Sequence, residues 1–325
     1  MDLVLNTFGS CLTKDNDCFM VLHKDGKQRI PPADLRSIYI SRGAQISSDA
    51  ALLAIENEIE VLFMDNAGTP LGRIWSNRYG SISTIRKGQL EFSLSKKAVK
   101  WITEIVAAKI ENQQALLWTF VASQPEEKDI IEKTAVRLDI YRKKVENLQG
   151  DHVSDIASQL RGWEGIVSKI YFEQMNLFLP ERYHFAERSQ HPAMDIVNAM
   201  LNYGYGMLYG KIEGSLIRAG IDPYIGILHR NEHRRPVLVY DVIEKYRIWV
   251  DYVVWMLVRQ NIIGEEYYSV KSDGSFWLEG LGRRILIQSL NDYLSEVISI
   301  GGVERSRITH IDLFTQNLAQ KFKNN

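Results

Sequence analysis

Four side chains combine chemistry with placement: Glu164, His229, Asp241 and Glu244. His229 ends a short apolar run, residues 224–228, and a basic loop from Arg230 to Arg235 follows it. A second apolar run, Val237 to Tyr240, reads as a strand leading into a helix that starts near Asp241. Asp241 and Glu244 are three residues apart and so share a face of that helix. Five cations stand among these acids: Arg230, Arg234, Arg235, Lys245 and Arg247. An imidazole and carboxylates beside clustered cations can hold a divalent cation next to a phosphate.

Each of these residues also has an ordinary reading. Acids at a helix start stabilise the dipole without any chemical role. A lone histidine is more often a partly buried hydrogen-bonding residue than a ligand. A basic cluster is often solvated surface, although this one brackets acids that would otherwise repel a polyanion. Glu164 stands mid-helix in Arg161-Gly-Trp-Glu-Gly165, among apolar Leu160, Trp163, Val167 and Ile170. The two flanking glycines each cost a helix about 1 kcal/mol. Helix packing and close approach of a substrate both account for them.

The elements that position these residues fall into two groups. Residues 1–83 alternate short apolar pieces with turns. Strands are expected at 3–5, 18–22, 38–40, 61–64 and 71–75, with Asp25-Gly26 and Asn66-Ala-Gly68 as turns and one helix at 49–57. Residues 84–325 follow the helical period. Helices are expected at 95–120, 124–148, from Ser154 to 179, 193–219, from Asp241 to 259, 281–298 and 304–321. A hairpin at 264–280 turns on Asp273-Gly274. The fold class is therefore α+β: a small β-rich N-terminal domain, then a larger, mostly helical one. Gly206, Gly210 and Gly214 form a small-residue stripe on the helix before Gly220. Lys211, Glu213 and Arg218 in the same helix rule out a membrane reading of it.

Composition excludes several classes. A formal net charge of −1 argues against indiscriminate nucleic-acid binding, so any DNA site must come from patches. Residues 1–80 hold 8 Lys/Arg against 10 Asp/Glu, which places candidate patches further along. Lys96, Lys97 and Lys100 begin a helix, where the dipole disfavours cations. They face either solvent or something anionic. Arg283 and Arg284 form another basic pair. The chain starts without the pattern of a signal peptide, no segment is apolar enough to span a bilayer, and a cytoplasmic location is expected. Cys11 and Cys18 need not pair. His184, His191 and His233 lack the clustered partners of a zinc site. No phosphate-binding glycine loop is present.

The residues 195–247 carry a family resemblance. Asp195-x-x-Asn198 is followed by LNYGYGMLYG, AGIDPYIGILH and RPVLVYDVIEKYR, and RGWEG-x5-YF stands upstream. This text resembles the integrase/endonuclease of CRISPR adaptation in prokaryotes. The resemblance implies that Glu164, His229 and Glu244 hold Mg²⁺ or Mn²⁺ and that Asp241 supports the site. It places Arg235 and Arg247 at basic positions near the active site and Asn198 and Tyr209 at polar ones. With Arg230 and Arg234 these form the expected DNA contacts. Val237 departs from the family's usual small polar residue but removes no ligand. The implied substrates are double-stranded DNA fragments and CRISPR leader-repeat DNA. A homodimer through the β-rich domain and a small ferredoxin-like adaptation partner are implied as well. Two other readings remain open: a transposon-type integrase or structure-specific nuclease outside any CRISPR system, and a non-catalytic DNA-binding scaffold.

Overall fold

The computed structural model describes residues 2–65, 70–74, 83–190, 192–229 and 235–324. The expected turn at 66–68, His191, His233, Arg230 and Arg234 lie outside them. The chain divides into two compact units, Met1–Ser81 and Ile82–Asn325.

In the first unit, strands β1 (Asp2–Leu5), β2 (Cys11–Asp15), β3 (Cys18–His23) and β4 (Gly26–Ile30) are followed by β5 (Ser37–Ser41), β6 (Gln45–Ile46), helix α1 (Ser48–Glu56), β7 (Glu60–Met64) and β8 (Pro70–Ile74). They form two four-stranded sheets, in the orders β1-β5-β7-β8 and β4-β3-β2-β6. The first is parallel except for β8, and the second is an antiparallel meander with β6 added in parallel to β2. The inward side chains Leu5, Leu12, Phe19, Ile30, Ile38 and Val61 share one core with Leu53 of α1. Strand β4 escaped sequence reading because its Gly-Lys-Gln-Arg face is exposed and only Ile30 is buried. Asn16, at φ 52°, makes the tight β2–β3 turn, a conformation that asparagine tolerates.

The second unit contains α2 (Ser83–Ser93), α3 (Lys96–Val121), α4 (Lys128–Glu146), α5 (Val153–Met175), α6 (Ile196–Arg218), α7 (Val237–Ile243) and α8 (Arg247–Arg259). After these come β9 (Tyr268–Val270), β10 (Phe276–Leu278), α9 (Gly280–Ser295), β11 (Val297–Ile300), β12 (Val303–Ser306) and α10 (Arg307–Lys323). Helix α6 is buried on nearly all sides and packs against α7, α8, α9 and α10, as an apolar helix without a polar face must. At Gly204 an added Cβ would lie 2.5 Å from a Val250 methyl, so glycine allows α8 to approach α6. Among the described residues no helix is long and apolar enough to cross a membrane.

Three expectations are corrected. Residues 237–240 form helix α7, not a strand; every face of this short apolar run except that of Tyr240 is buried, so its pattern could not distinguish the two. The helix expected from Asp241 to 259 is two helices, broken at Glu244–Tyr246. The helices expected at 281–298 and 304–321 are separated by the β11–β12 hairpin. Its two-residue turn is Gly301-Gly302, both at positive φ, and that dipeptide was the available turn cue.

Candidate active site

Helices α3, α5 and α7 meet around one buried ammonium. Lys109 of α3 has a side chain only 7% exposed, and its Nζ donates to Glu164 Oε1 of α5 at 2.5 Å. The same Nζ lies 2.5 Å from Glu244 Oε2. That oxygen is buried and accepts no well-aligned hydrogen bond among the described residues, so the ion pair alone satisfies it. Two carboxylates distant in sequence thus converge on a single cation position.

Glu244 is placed by the break between α7 and α8. Tyr246 N–H returns to the Ile243 carbonyl at 2.8 Å, and Asn112 of α3 donates to the Lys245 carbonyl at 3.0 Å. Arg247 Nε then donates to Glu244 Oε1 at 2.8 Å. Burial opposes ionisation of Glu244, but Arg247 and Lys109 prevail and hold its pKa at about 2. Burial likewise opposes charge on Lys109, and Glu244 and Glu164 outweigh it, so its pKa lies above the ordinary lysine value. The cluster is close to electroneutral: two carboxylates, one ammonium and one guanidinium.

His229 reaches this centre from the loop between α6 and α7. Asp241, wholly buried in α7, organises the loop end. Its Oδ2 accepts from the N–H groups of Ile227 at 2.7 Å and Leu228 at 3.1 Å. Its Oδ1 accepts from His229 N at 3.2 Å and His229 Nδ1 at 2.7 Å. A carboxylate only accepts, so Nδ1 carries the proton and Nε2 of the neutral ring keeps its lone pair. Burial lowers the imidazole pKa, but Asp241, then Glu244 and Glu164, raise it above the ordinary histidine value. Asp241 therefore acts on His229, and its carboxylate is spent there rather than on a helix face shared with Glu244.

Three further residues hold this loop, none of them singled out from the sequence. Arg161 donates to the Leu228 carbonyl at 2.7 Å, which gives the first residue of RGWEG a purpose. Gln89 of α2 donates to the carbonyls of Asp222 at 2.7 Å and Ile225 at 3.0 Å. At Gly226 an added Cβ would sit 2.1 Å from the His229 carbonyl oxygen, so only glycine fits this bend. The glycines flanking Glu164 differ. Apart from adjacent residues and the backbone of α5 itself, nothing described lies within 4 Å of a Cβ at Gly162 or Gly165, and both are exposed. Helix packing is not what they serve.

The family-defining sequence pattern described as "CRISPR associated protein Cas1" matches residues 3–292. The chain belongs to the Cas1 family. A curated relative, CRISPR-associated endonuclease Cas1 1 of Archaeoglobus fulgidus, is 34% identical over 307 residues, covering 90% of this chain and 88% of its own. Among solved structures, a casposase bound to integration product has a TM-score of 0.85 at 20% identity, covering 99% of this chain and 90% of that one. A Cas6-RT-Cas1–Cas2 complex has a TM-score of 0.81 at 24% identity, covering 100% of this chain but 35% of that one. At these identities the two structures speak for the fold.

The remaining expected site residues of this Cas1-family chain separate. Arg247 is at the centre, engaged with Glu244 and lying over the Tyr205 ring at 4.6 Å. Arg235 is exposed just before α7. Tyr209 donates to the Pro236 carbonyl at 3.1 Å, and its ring packs against Tyr240, which in turn packs against His229. It supports the His229 loop from behind. Asn198 is fully buried: it donates to the Glu187 carbonyl at 2.9 Å and accepts from Arg188 and from Ser189 N. The expectation of a DNA contact at Asn198 is corrected, because its amide ties the chain before α6 to the helix start and has no surface. Beneath Arg247, Tyr205 and Tyr171 both donate to Asp251, whose burial pushes its carboxyl up to about 6.

Proposed function

We propose that this Cas1-family chain is a divalent-metal-dependent DNA integrase and endonuclease of CRISPR adaptation. The observation that carries the reading is the convergence of Glu164 and Glu244 on one cation position, beside an imidazole oriented by Asp241, in a chain of this family. Two carboxylates already share a cation and one of their oxygens lacks a hydrogen bond, which suits a hard divalent ion, while no three His, Cys, Asp or Glu side chains among the described residues stand close enough together to hold one as they are placed. Glu164, Glu244 and Nε2 of His229 would hold Mg²⁺ or Mn²⁺. The ion would supply Lewis-acid polarisation of a phosphate and lower the pKa of a bound hydroxyl. The imidazole favours Mn²⁺ over Mg²⁺, which prefers all-oxygen shells.

The chain's own residues bind and orient DNA. Arg235, exposed just before α7, would serve as a phosphate contact. Gly162 and Gly165 leave the face of α5 around Glu164 low enough for a strand to approach. In the proposed reaction the 3′-oxygen of a short double-stranded fragment attacks a phosphodiester at the leader-repeat boundary. One P–O bond forms, one breaks, and the proton of the attacking hydroxyl ends on the departing 3′-oxygen. Water in place of that hydroxyl gives nuclease activity. The same attack follows at the other repeat end, so two subunits act together. A small Cas2-type partner would bridge them, as the Cas1–Cas2 complex of similar fold suggests.

The test is an integration assay with Mn²⁺, a fragment, the cognate array and the partner. Glu164→Ala, His229→Ala and Glu244→Ala should each abolish joined product with circular dichroism unchanged. Full joining by any one of them would overturn the assignment.

A further inference from the structure

The ammonium of Lys109 occupies the point on which the two carboxylates converge. It is not an incidental surface lysine: α3 presents it from a row of buried neighbours, Val106, Ile110 and Gln113. Both of its contacts are at 2.5 Å, one to α5 and the other to the α7–α8 break. With Arg247 on the other oxygen of Glu244, each carboxylate charge already has a cation. A dication entering between the carboxylates would meet a third positive charge in contact with both of its ligands. Lysine suits a replaceable counter-ion, because its charge is a compact point on a flexible stem rather than a bidentate fork.

We propose that Lys109 is the resident counter-ion of this site, which a divalent cation must displace from between Glu164 and Glu244, so that metal loading is coupled to the arrival of a DNA phosphate. The inference rests on the metal-dependent reading above. With a dication bound, the site that was neutral carries an excess of two positive charges, one of them on the displaced ammonium. A phosphodiester alongside supplies the negative charge that both cations then share. Metal therefore binds weakly to the protein alone and more tightly to the protein–DNA complex. By linkage, DNA binds more tightly in the presence of metal. Such a device keeps a nuclease centre unloaded until its substrate is aligned.

The experiment measures Mn²⁺ affinity by electron paramagnetic resonance, with and without a short DNA duplex, for the full chain and for Lys109→Met and Lys109→Gln. Methionine keeps the length of the side chain and removes the charge; glutamine also keeps hydrogen-bond donors. Both should bind Mn²⁺ more tightly than wild type without DNA, by about the 5- to 150-fold usual for coupled sites. Adding duplex should tighten wild type toward the variants and change the variants less. Thermal melting supplies a second readout. In EDTA both variants should melt below wild type, because two buried carboxylates lose their shared cation, and Mn²⁺ should restore them more than it raises wild type. A variant that folds only with Mn²⁺ supports the proposal equally. Unchanged or weaker Mn²⁺ affinity in both variants overturns the role of Lys109 while leaving the metal site standing. Absence of Mn²⁺ binding by all three proteins, with or without DNA, overturns the metal-dependent reading and this inference with it.

Discussion

His229 is oriented by a residue that never needs to touch DNA. Asp241 accepts its Nδ1–H and also fixes three backbone N–H groups at the loop end. A metal ligand's hydrogen-bond partner sets its tautomer and basicity, and losing one typically weakens metal binding 10- to 100-fold. Asp241→Asn should therefore lower Mn²⁺ affinity about that much, less completely than Glu244→Ala. It should also shift the pH profile. Asp241 raises the imidazole pKa, and only the neutral ring ligates, so wild-type binding grows as pH rises through a midpoint above the ordinary histidine value. Without the carboxylate that midpoint should move to lower pH; Mn²⁺ titrations from pH 5 to 8 would show it, and an unmoved midpoint would refute the pairing. A second buried acid works through stability. Burial raises Asp251 to about 6 from an ordinary 3.8, so the native state binds its proton more tightly than the unfolded chain does. Stability from this group is greatest below about pH 4, is lost as pH rises toward about 6, and stays low above that. The loss is on the order of 3 kcal/mol. Asp251→Asn should flatten this part of the stability profile and raise the urea midpoint at pH 8 relative to that at pH 4. The amide can still bond Tyr205 or Tyr171.

At the scale of elements, residues 222–229, between α6 and α7, are held from three sides. Gln89 grips Asp222 and Ile225, Arg161 the Leu228 carbonyl, and Asp241 the N–H groups of residues 227–229. The bend closes only because residue 226 has no side chain. Gly226→Ala would push a methyl into the His229 carbonyl, and the loop has to give, because Val237 blocks the other direction at 2.8 Å. A displacement of about 1 Å at a reacting group can cost 10²-fold in rate. We expect Gly226→Ala to retain the helical circular dichroism spectrum, melt lower, and lose roughly that factor in strand joining. Wild-type activity would mean that the loop is softer than its hydrogen bonds imply. The α7–α8 break has the same positioning function: a continuous helix would carry Glu244 and Arg247 onward without the turn that brings Glu244 to Lys109 and Arg247 to Glu244.

On the scale of the whole molecule, the charge balance of −1 leaves one chain little general attraction for a duplex. An assembly can align several local patches. The first unit offers the edges for it: β4 presents four exposed residues, and Phe8 is 89% exposed. Open sheet edges call for a partner to cover them. Light scattering of the pure protein should give at least a dimer, and Phe8→Asp should shift it toward monomer without changing the melting of the helical unit. A monomer at every accessible concentration that still joins both ends would refute this.

Local patterns in the chain were enough to separate a β-rich beginning from a helical remainder, because periods of two and 3.6 are written into the side-chain order. They also marked the helices α3, α5 and α6 to within a few residues, since turn and capping residues act locally. Glu164, His229 and Glu244 were legible as a group only through family resemblance; in spacing alone each had an ordinary explanation. What the sequence could not express is convergence. Lys109 lies in an apolar stretch with no motif, and its meaning depends on Glu164, 55 residues on, and on Glu244, far beyond that. Asp251 lies in an apolar stretch with no partner near it in sequence, and only packing brings two tyrosines from other helices to it. Asn198 was an expected DNA contact only through the family resemblance and is a buried tie. Residues 237–240 could be strand or helix, because a run buried nearly all round carries no period to choose between them. In each case the deciding interaction is between segments distant in the chain, and its energy exists only once helix packing has brought them together.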